Sequence, residues 1–375
     1  MSASLNQSRP VLIMAGGTGG HVFPALAVAD ELKSRGVPVV WLGTKAGIES
    51  RLVPAAGYPI EWMSISGLRG KNTLTLVLAP LRIVTACWQA LMVLLKRNPC
   101  AVLGMGGFAS GPGALMAWML RKPLLVHEQN AIPGMTNKLS AKFASVVLQA
   151  FPGVFKQAVT TGNPVRQSIC EIAAPELRLA DRYTDESASE KLRLLIIGGS
   201  LGAVKLNEVV PQGLAMMTDT DRPEVIHQTG MKNIESAREA YRDAGVEAKV
   251  EAFIDDMPAV YEWADIVICR AGAMTVFELA AAGVASILVP YPYAVDDHQT
   301  VNAAYLERAG AAIIRQQDVL TADWIAETLN DFSANRNSLF DMAVAARKLA
   351  IPDSAKTIAD ACLAAAGVKK TGDAS

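Results

Sequence analysis

Along the first part of the chain, short apolar runs rich in β-branched residues alternate with longer stretches whose apolar positions recur every three to four residues. Runs at 11–15, 37–42, 101–105 and 124–128 predict strands, and the stretches 24–35, 80–95 and 112–120 predict helices. Alternation of this kind predicts a parallel sheet wound with helices on both faces. The pattern restarts at Leu192, with strands expected at 192–197, 224–227, 249–253, 266–270 and 286–290, each followed by a helical stretch. Residues 173–191 are polar, mostly acidic and break the hydrophobic period. They place a linker at 167–191, between a first domain at 1–166 and a second at 192–350, with a C-terminal helix and tail at 351–375. Both halves open alike, on a strand that runs into a glycine-rich turn: Gly16-Gly17-Thr18-Gly19-Gly20 in the first and Gly198-Gly199-Ser200-Leu201-Gly202 in the second. Two such units predict an α/β chain of two facing Rossmann-like domains, with ligands in a cleft at the carboxyl ends of the strands.

Composition agrees with this plan. The 375 residues suffice for two domains, and 51% hydrophobic against 19% charged residues excludes a disordered chain. The five cysteines, at 87, 100, 170, 269 and 362, include no C-x-x-C pair and read as free thiols of a reducing compartment. The first ten residues lack an apolar core, so no secretory signal is expected. The longest apolar run, 83–95, falls short of the roughly 20 residues that a membrane span needs, so no crossing is expected. Charge changes the picture more. The net charge of −1 conceals 16 basic and 5 acidic residues up to Arg166, against 19 basic and 31 acidic residues beyond it. A half-chain of net +11 calls for an anionic partner. Aromatic residues interleaved with the basic ones are sparse, which ranks lipid and phosphate above nucleic acid.

Three glycine loops at predicted strand ends, 16–20, 104–113 and 198–202, can bring backbone N–H groups close to a phosphate at the positive end of a helix. The dinucleotide fingerprint fails in the first loop, where Val22 takes the place of the third glycine, and in the last by spacing. Only Gly104-x-Gly106-x-x-Ala109 fits its looser form, on a late strand. No G-x-x-x-x-G-K-[ST] occurs, which argues against a P-loop nucleotidase. No cluster of His, Cys, Asp or Glu has metal-ligand spacing and no Asp-x-Asp lies near a strand end. Asp255-Asp256 and Asp296-Asp297 are adjacent pairs, of which one member each would face a site if the backbone is extended. Neither a metal nor an organic cofactor is expected.

Taken in order, Met14-Ala15-Gly16-Gly17-Thr18-Gly19-Gly20-His21-Val22-Phe23-Pro24, His127-Glu128-Gln129-Asn130, Gly162-Asn163-Pro164-Val165-Arg166, Gly198-Gly199-Ser200-Leu201-Gly202-Ala203, Arg270-Ala271-Gly272-Ala273-Met274-Thr275-Val276-Phe277-Glu278 and the stretch from His298-Gln299 to Asn302-Ala303 resemble one family. It is that of the bacterial peptidoglycan glycosyltransferases, which add N-acetylglucosamine to undecaprenyl-pyrophosphoryl-N-acetylmuramyl-pentapeptide. The resemblance covers about residues 10 to 350. It implies a glycosyltransferase B-type fold, inversion at the anomeric carbon in one displacement without an obligatory metal, and a peripheral place on the cytoplasmic face of the cell membrane. The N-terminal domain would hold the lipid-linked acceptor and the C-terminal one UDP-N-acetylglucosamine. Proteins of cell-wall synthesis are the expected protein partners. Leu201 stands where the family usually has glutamine, and Met274 where leucine is common.

Carried over position by position, the resemblance assigns donor contacts to Thr18, Gly19, Gly20, Asn130, Arg166, Ser200, Ile254, Ala273, Met274, Thr275, Val276, Phe277, Glu278 and Gln299. The residue types suit a nucleotide sugar. Glu278 can accept two hydrogen bonds from a ribose diol, Ser200 and Thr275 can hold a diphosphate with neighbouring amides, Ile254 would offer its backbone to uracil, and Gln299 and Asn130 carry the paired donor and acceptor that sugar hydroxyls need. Gly16, Gly17, Gly106 and Gly107 are expected at the acceptor pyrophosphate. Two residues compete for the base that activates the acceptor's 4-hydroxyl: His21, histidine being the residue type best suited to take a proton near neutral pH, and Glu128. His127 and His298 read as packing or orienting residues. The apolar stretch 74–95, flanked by Arg69, Lys71, Lys96 and Arg97 and containing Arg82 and Trp88, with Trp118 on a later helix, fits an anchor on an anionic lipid surface. A UDP-N-acetylglucosamine 2-epimerase, a glycolipid synthase acting on diacylglycerol and a non-catalytic scaffold are the alternatives. The basic, apolar first half speaks against the epimerase.

Overall fold

The computed structural model describes residues 9–65, 79–179, 182, 191–199 and 202–368. Ser200, Leu201, Arg69 and Lys71 lie outside these. The chain divides into two compact units, residues 1–165 with 353–375, and residues 166–352.

In unit 1 the elements run β1 (Val11–Met14), α1 (Gly19–Ser34), β2 (Val39–Gly43), α2 (Glu49–Ala55), β3 (Ile60–Trp62), α3 (Ala79–Arg97), β4 (Ala101–Gly104), α4 (Ser110–Met119), β5 (Leu124–Glu128), α5 (Met135–Ser140), β6 (Val146–Gln149) and β7 (Val159–Thr160). The strands form one parallel sheet in the order β3-β2-β1-β4-β5-β6-β7, with Val11 in register with Val39 on one side and Ala101 on the other. Because successive side chains of a strand point to opposite faces, Val11 and Ile13 enter one core layer and Leu12 and Met14 the other. Both faces are buried, which is why β1 reads as an unbroken apolar run.

Three of the expected helices come out differently. Helix α1 starts at Gly19 rather than near Pro24, so the proline lies inside the helix and the glycine turn supplies its first residues. Helix α3 is longer than the apolar run that marked it. Its 19 residues make it, among the described residues, one helix long and apolar enough by length and composition to cross a membrane. Its faces are nonetheless unequal. Ala79, Ala86, Ala90, Val93 and Leu94 are buried, while Leu81, Val84, Trp88, Met92 and Leu95 form an exposed stripe. The C-terminal helix Ser354–Ala365 belongs to unit 1. Ile358, Ala359 and Cys362 pack in the core of unit 1 with Val28 and Leu32, Arg35 Nη1 lies 2.5 Å from Asp360, and Ser354 donates to the Thr161 carbonyl.

Unit 2 begins inside the expected linker. Helices α6 (Gln167–Cys170) and α7 (Pro175–Arg178) come first, tied down by Arg347, which donates to the carbonyls of Cys170, Ile172 and Ala281, and by Arg178, which donates to those of Glu262, Ala264 and Gly283. Then follow β8 (Arg193–Ile197), α8 (Val204–Ala215), β9 (Glu224–Gln228), α9 (Ile234–Asp243), β10 (Lys249–Glu251), α10 (Met257–Trp263), β11 (Ile266–Cys269), α11 (Ala273–Ala282), β12 (Ala285–Leu288), α12 (His298–Glu307), β13 (Ala312–Ile314), α13 (Ala322–Ala334) and α14 (Arg336–Lys348). The strands again form one parallel sheet, in the order β10-β9-β8-β11-β12-β13.

In each sheet the winding direction reverses once, between β1 and β4 in unit 1 and between β8 and β11 in unit 2. At such a reversal the two loops leaving the strands diverge and open a crevice at their carboxyl ends. The three glycine loops and the segment Arg270–Gly272 follow these four strands.

Candidate active site

In unit 1 the first glycine loop leaves β1 and becomes the start of α1, with Thr18 extended as its N-cap. Its shape is set by a residue that sequence reasoning passed over. Glu49, the first residue of α2, is fully buried. Its Oε2 accepts from Gly17 N–H at 2.9 Å, and its Oε1 accepts from the N–H and hydroxyl of Thr44 at 3.0 and 2.7 Å. A Cβ at Gly16, Gly43 or Gly47 would collide with this side chain, so these glycines make room for the carboxylate that holds the loop. The second loop leans on the first. A Cβ at Gly107 would lie 2.4 Å from the Gly16 carbonyl oxygen, and one at Gly106 would lie 2.7 Å from the His21 ring; both glycines have positive φ, which a side chain would strain. Ser110 fastens the two loops by donating to Met14 O or Gly106 O, each at 2.8 Å.

His21, in the first turn of α1, is half-buried and places Nδ1 2.9 Å from Gln129 Oε1. Glu128, at the end of β5, is fully buried. Its Oε1 accepts from Asn130 N and Nδ2 at 2.9 and 3.3 Å, and its Oε2 from Gly134 N and Asn137 Nδ2 at 3.1 and 2.9 Å. Four donors occupy both oxygens, so this carboxylate organises the loop after β5 and brings Asn130 into it. The structure thus gathers Gly16–His21, Gly106, Gly107, Glu128 and Asn130 at one edge of the first sheet.

In unit 2, Arg166 and Glu278 meet at 3.7 Å, and Tyr261 donates to Glu278 Oε2 at 3.3 Å. Burial raises the Glu278 carboxyl above the usual carboxylate range, and Arg166 and the Tyr261 hydroxyl pull it back. The Glu278 side chain keeps 16% of its exposure, enough for its edge to meet a ligand. Helix α11 is apolar except for Thr275 and Glu278. Its N-cap, Gly272, offers no side chain to the first N–H groups, leaving the Ala273, Met274 and Thr275 amides at a positive helix end. Val276 and Phe277 are buried, and Phe277 stacks on Tyr305, so these two hold the helix rather than face a ligand with their side chains. Ile254 donates its N–H to Gln228 Oε1 at 3.2 Å. Gln299 accepts from Tyr291 N at 2.9 Å and so keeps its NH2 as a donor. Gly198, Ile254, Gly272 and Gln299 all follow strands of one parallel sheet and share its carboxyl edge. A Cβ at Gly202 would meet the Thr229 carbonyl at 2.3 Å, so the third glycine loop abuts the end of β9. Asp296 and Asp297 are not extended: both take left-handed backbone, at φ 54 and 51. Asp256 caps α10 by accepting from Ala259 N. Among the described residues no group of three or more His, Cys, Asp or Glu is placed to hold a metal ion.

Residues 11–149 match the glycosyltransferase family 28 N-terminal domain, and residues 193–358 match the glycosyltransferase family 28 C-terminal domain. A protein of Marinobacter nauticus named UDP-N-acetylglucosamine--N-acetylmuramyl-(pentapeptide) pyrophosphoryl-undecaprenol N-acetylglucosamine transferase is 53% identical over 96% of this chain and 98% of its own length. The chain belongs to glycosyltransferase family 28. A protein of the same name from Nitrosococcus oceani is 52% identical over 94% of this chain and 98% of its own. The crystal structure of Acinetobacter baumannii MurG is similar to this family 28 chain with a TM-score of 0.83, at 39% identity over 95% of this chain and 99% of that one. The calicheamicin glycosyltransferase CalG4, at 16% identity and a TM-score of 0.65, shares the fold alone. The two parallel sheets are therefore those of the glycosyltransferase B-type fold, and this family 28 member is a glycosyltransferase of peptidoglycan synthesis.

Proposed function

We propose that the chain transfers N-acetylglucosamine from UDP-N-acetylglucosamine to the 4-hydroxyl of the N-acetylmuramyl unit of undecaprenyl-pyrophosphoryl-muramyl-pentapeptide, with inversion at the anomeric carbon. The carrying observation is the pairing of two chemistries. One sheet edge presents two interlocked glycine loops with a half-buried histidine beside them. The other presents a helix N-terminus with a carboxylate three residues beyond Thr275. In unit 2, Glu278 accepts from the ribose hydroxyls, the Ile254 carbonyl reads uracil, the α11 amides with Thr275 take the charge that grows on the departing diphosphate, and Gln299 donates to the sugar. Arg166 favours the ionised form of Glu278 against the effect of burial. In unit 1, Gly16, Gly17, Gly106 and Gly107 cradle the acceptor pyrophosphate, and Thr18, Gly19, Gly20 and Asn130 complete the donor contacts. His21 takes the proton of the acceptor hydroxyl. That oxygen then forms its bond to the anomeric carbon as the bond from that carbon to the UDP β-phosphate oxygen breaks, and the electron pair leaves with UDP. Glu128, with both oxygens already engaged, positions Asn130 and is not the base.

The same reading places the protein on the cytoplasmic face of the membrane without a span. Leu81, Val84, Trp88, Met92 and Leu95 of α3, with Trp118 and Met119 of α4, are exposed, while the opposite side of α3 is committed to the core. An apolar stripe next to Arg82, Lys96 and Arg97 suits a helix lying in an anionic interface.

The test is transfer of labelled N-acetylglucosamine from its UDP donor to a short-chain lipid-linked muramyl-pentapeptide, with a chelator present and a control without acceptor. Acceptor-dependent label in the glycolipid is expected. Donor epimerisation without acceptor would move the function to the epimerase.

A further inference from the structure

We propose that Gln129 is a positioning residue that fixes the tautomer of His21, so that the ring carries its proton on Nδ1 and offers Nε2 as the accepting nitrogen. This deepens the assignment of His21 as the base and rests on it for its consequence in catalysis, but not for its geometry.

His127 lies one residue inside the end of β5. Its ring is fully buried, and its Nε2 lies 3.1 Å from the carbonyl oxygen of Gly162. A carbonyl only accepts, so Nε2 carries a hydrogen. Burial pushes the His127 pKa down to about 4, so the ring is neutral near pH 7 and its Nδ1 is a bare lone pair. The Gln129 side-chain amide faces two acceptors on that side, His127 Nδ1 at 3.0 Å and the His127 carbonyl oxygen at 3.1 Å. Only the NH2 group can sit there, since the flipped amide would set its oxygen against a lone pair and a carbonyl at once. The amide orientation is therefore dictated by its surroundings rather than left to choice. Gln129 Oε1 is then the atom 2.9 Å from His21 Nδ1. An amide oxygen only accepts, so His21 Nδ1 carries the hydrogen, and in the neutral ring Nε2 is the bare nitrogen.

Three hydrogen bonds thus run in one direction, from His21 to Gln129 to His127 to the Gly162 carbonyl, and aligned bonds of this kind strengthen one another. Asn163 Nδ2 donates to the Gln129 carbonyl at 2.9 Å and Asn137 Nδ2 to the His127 carbonyl at 3.1 Å, so the backbone on which the relay hangs is itself tied down. Free histidine in water favours the other tautomer, with the hydrogen on Nε2. Without Gln129 the ring would block the nitrogen that must take the acceptor's proton. Groups that orient metal-bound imidazoles are worth about 10–100-fold when removed, and a loss of the same order is expected for this one.

The experiment is a long-range proton–nitrogen correlation spectrum of the full chain labelled with 15N-histidine, recorded at mildly alkaline pH, with His21→Ala used to assign the His21 signals. The expected spectrum shows His21 with a protonated Nδ1 and a bare Nε2. A protonated Nε2 in the wild-type chain would overturn the proposal whatever the activity. Gln129→Leu is expected to move the His21 hydrogen to Nε2 and to lower kcat about 10–100-fold, with a much smaller change in acceptor KM and UDP affinity. An unchanged tautomer in that variant would also overturn it. If His21→Ala retains full turnover while the wild-type spectrum is as expected, the base assignment fails and the tautomer assignment stands.

Discussion

Replacing Glu49 by glutamine changes one atom and leaves size and burial alone. The carboxylate accepts from two main-chain N–H groups, Gly17 through Oε2 and Thr44 through Oε1, and from the Thr44 hydroxyl. An amide has one oxygen. In either orientation its NH2 group faces one of the two N–H donors, the buried Thr44 or the partly buried Gly17, and leaves it without an acceptor. An orphaned buried donor costs about 1–3 kcal/mol. In a unit of this size a loss of 1 kcal/mol lowers the melting temperature by about 2–4 °C, so Glu49→Gln should melt about 2–12 °C below wild type in differential scanning calorimetry. Glu49→Ala orphans both N–H groups, opens a cavity between Gly16, Gly43 and Gly47, and frees the first glycine loop. It should melt lower still and raise the KM for the lipid acceptor, while leaving the affinity for UDP unchanged. A Glu49→Gln protein that melts with the wild type would refute the reasoning, because it would show that the Gly17 and Thr44 donors do not depend on this carboxylate.

Glu278→Gln, which keeps shape but loses charge beside Arg166, should weaken UDP binding about tenfold or more in isothermal titration, and unchanged affinity would remove Glu278 from the ribose contacts. Changing Arg82, Lys96 and Arg97 together to Glu should abolish sedimentation with vesicles containing anionic lipid, since each lost basic contact is worth about 1 kcal/mol; undiminished binding would refute the interfacial role of α3. Burial holds His127 and His227 neutral, with pKa values near 4 and 3 against an ordinary 6.5. As pH falls below 6.5 the unfolded chain takes up these protons first, so the stability present above that value is lost on the way down through 4 and 3, with a limiting slope of about 1.4 kcal/mol per pH unit for each histidine. Urea unfolding that gave constant stability between pH 6.5 and 4.5 would contradict this.

The alternation of apolar runs and helical stretches carried the two-sheet plan into plain view, because the central parallel strands, buried on both faces, read as nearly continuous apolar runs. The short strands β3, β6, β7 and β13 left no such trace. Two to four residues barely make a period. The start of α1 was misplaced because Pro24 resembles a first-turn proline, whereas the glycine loop itself forms the first turn. The C-terminal helix gave an amphipathic pattern but no sign of which core it joins, since that depends on packing against Val28 and Leu32 more than 300 residues away. The same limit hid Glu49: its partner Gly17 lies 32 residues off, and nothing near Glu49 in sequence announces a buried carboxylate except the unusual company of Gly43 and Gly47. Glu128 was legible as a special residue but not as an engaged one, because its four donors come from the turn that follows it. The role of Gln129 was likewise out of reach, because the amide acquires a direction only once His127 is seen against the Gly162 carbonyl.

The central claim is a division of labour, with proton removal in unit 1 and nucleotide binding in unit 2, and it is tested most directly by measuring kcat and the UDP dissociation constant on the same preparation of His21→Ala. In the variant kcat is expected to fall about 100-fold or more, the usual contribution of a positioned general base, with UDP affinity unchanged within about a factor of two. Full turnover in the variant, or a loss of UDP affinity that matches the loss of kcat, would contradict it.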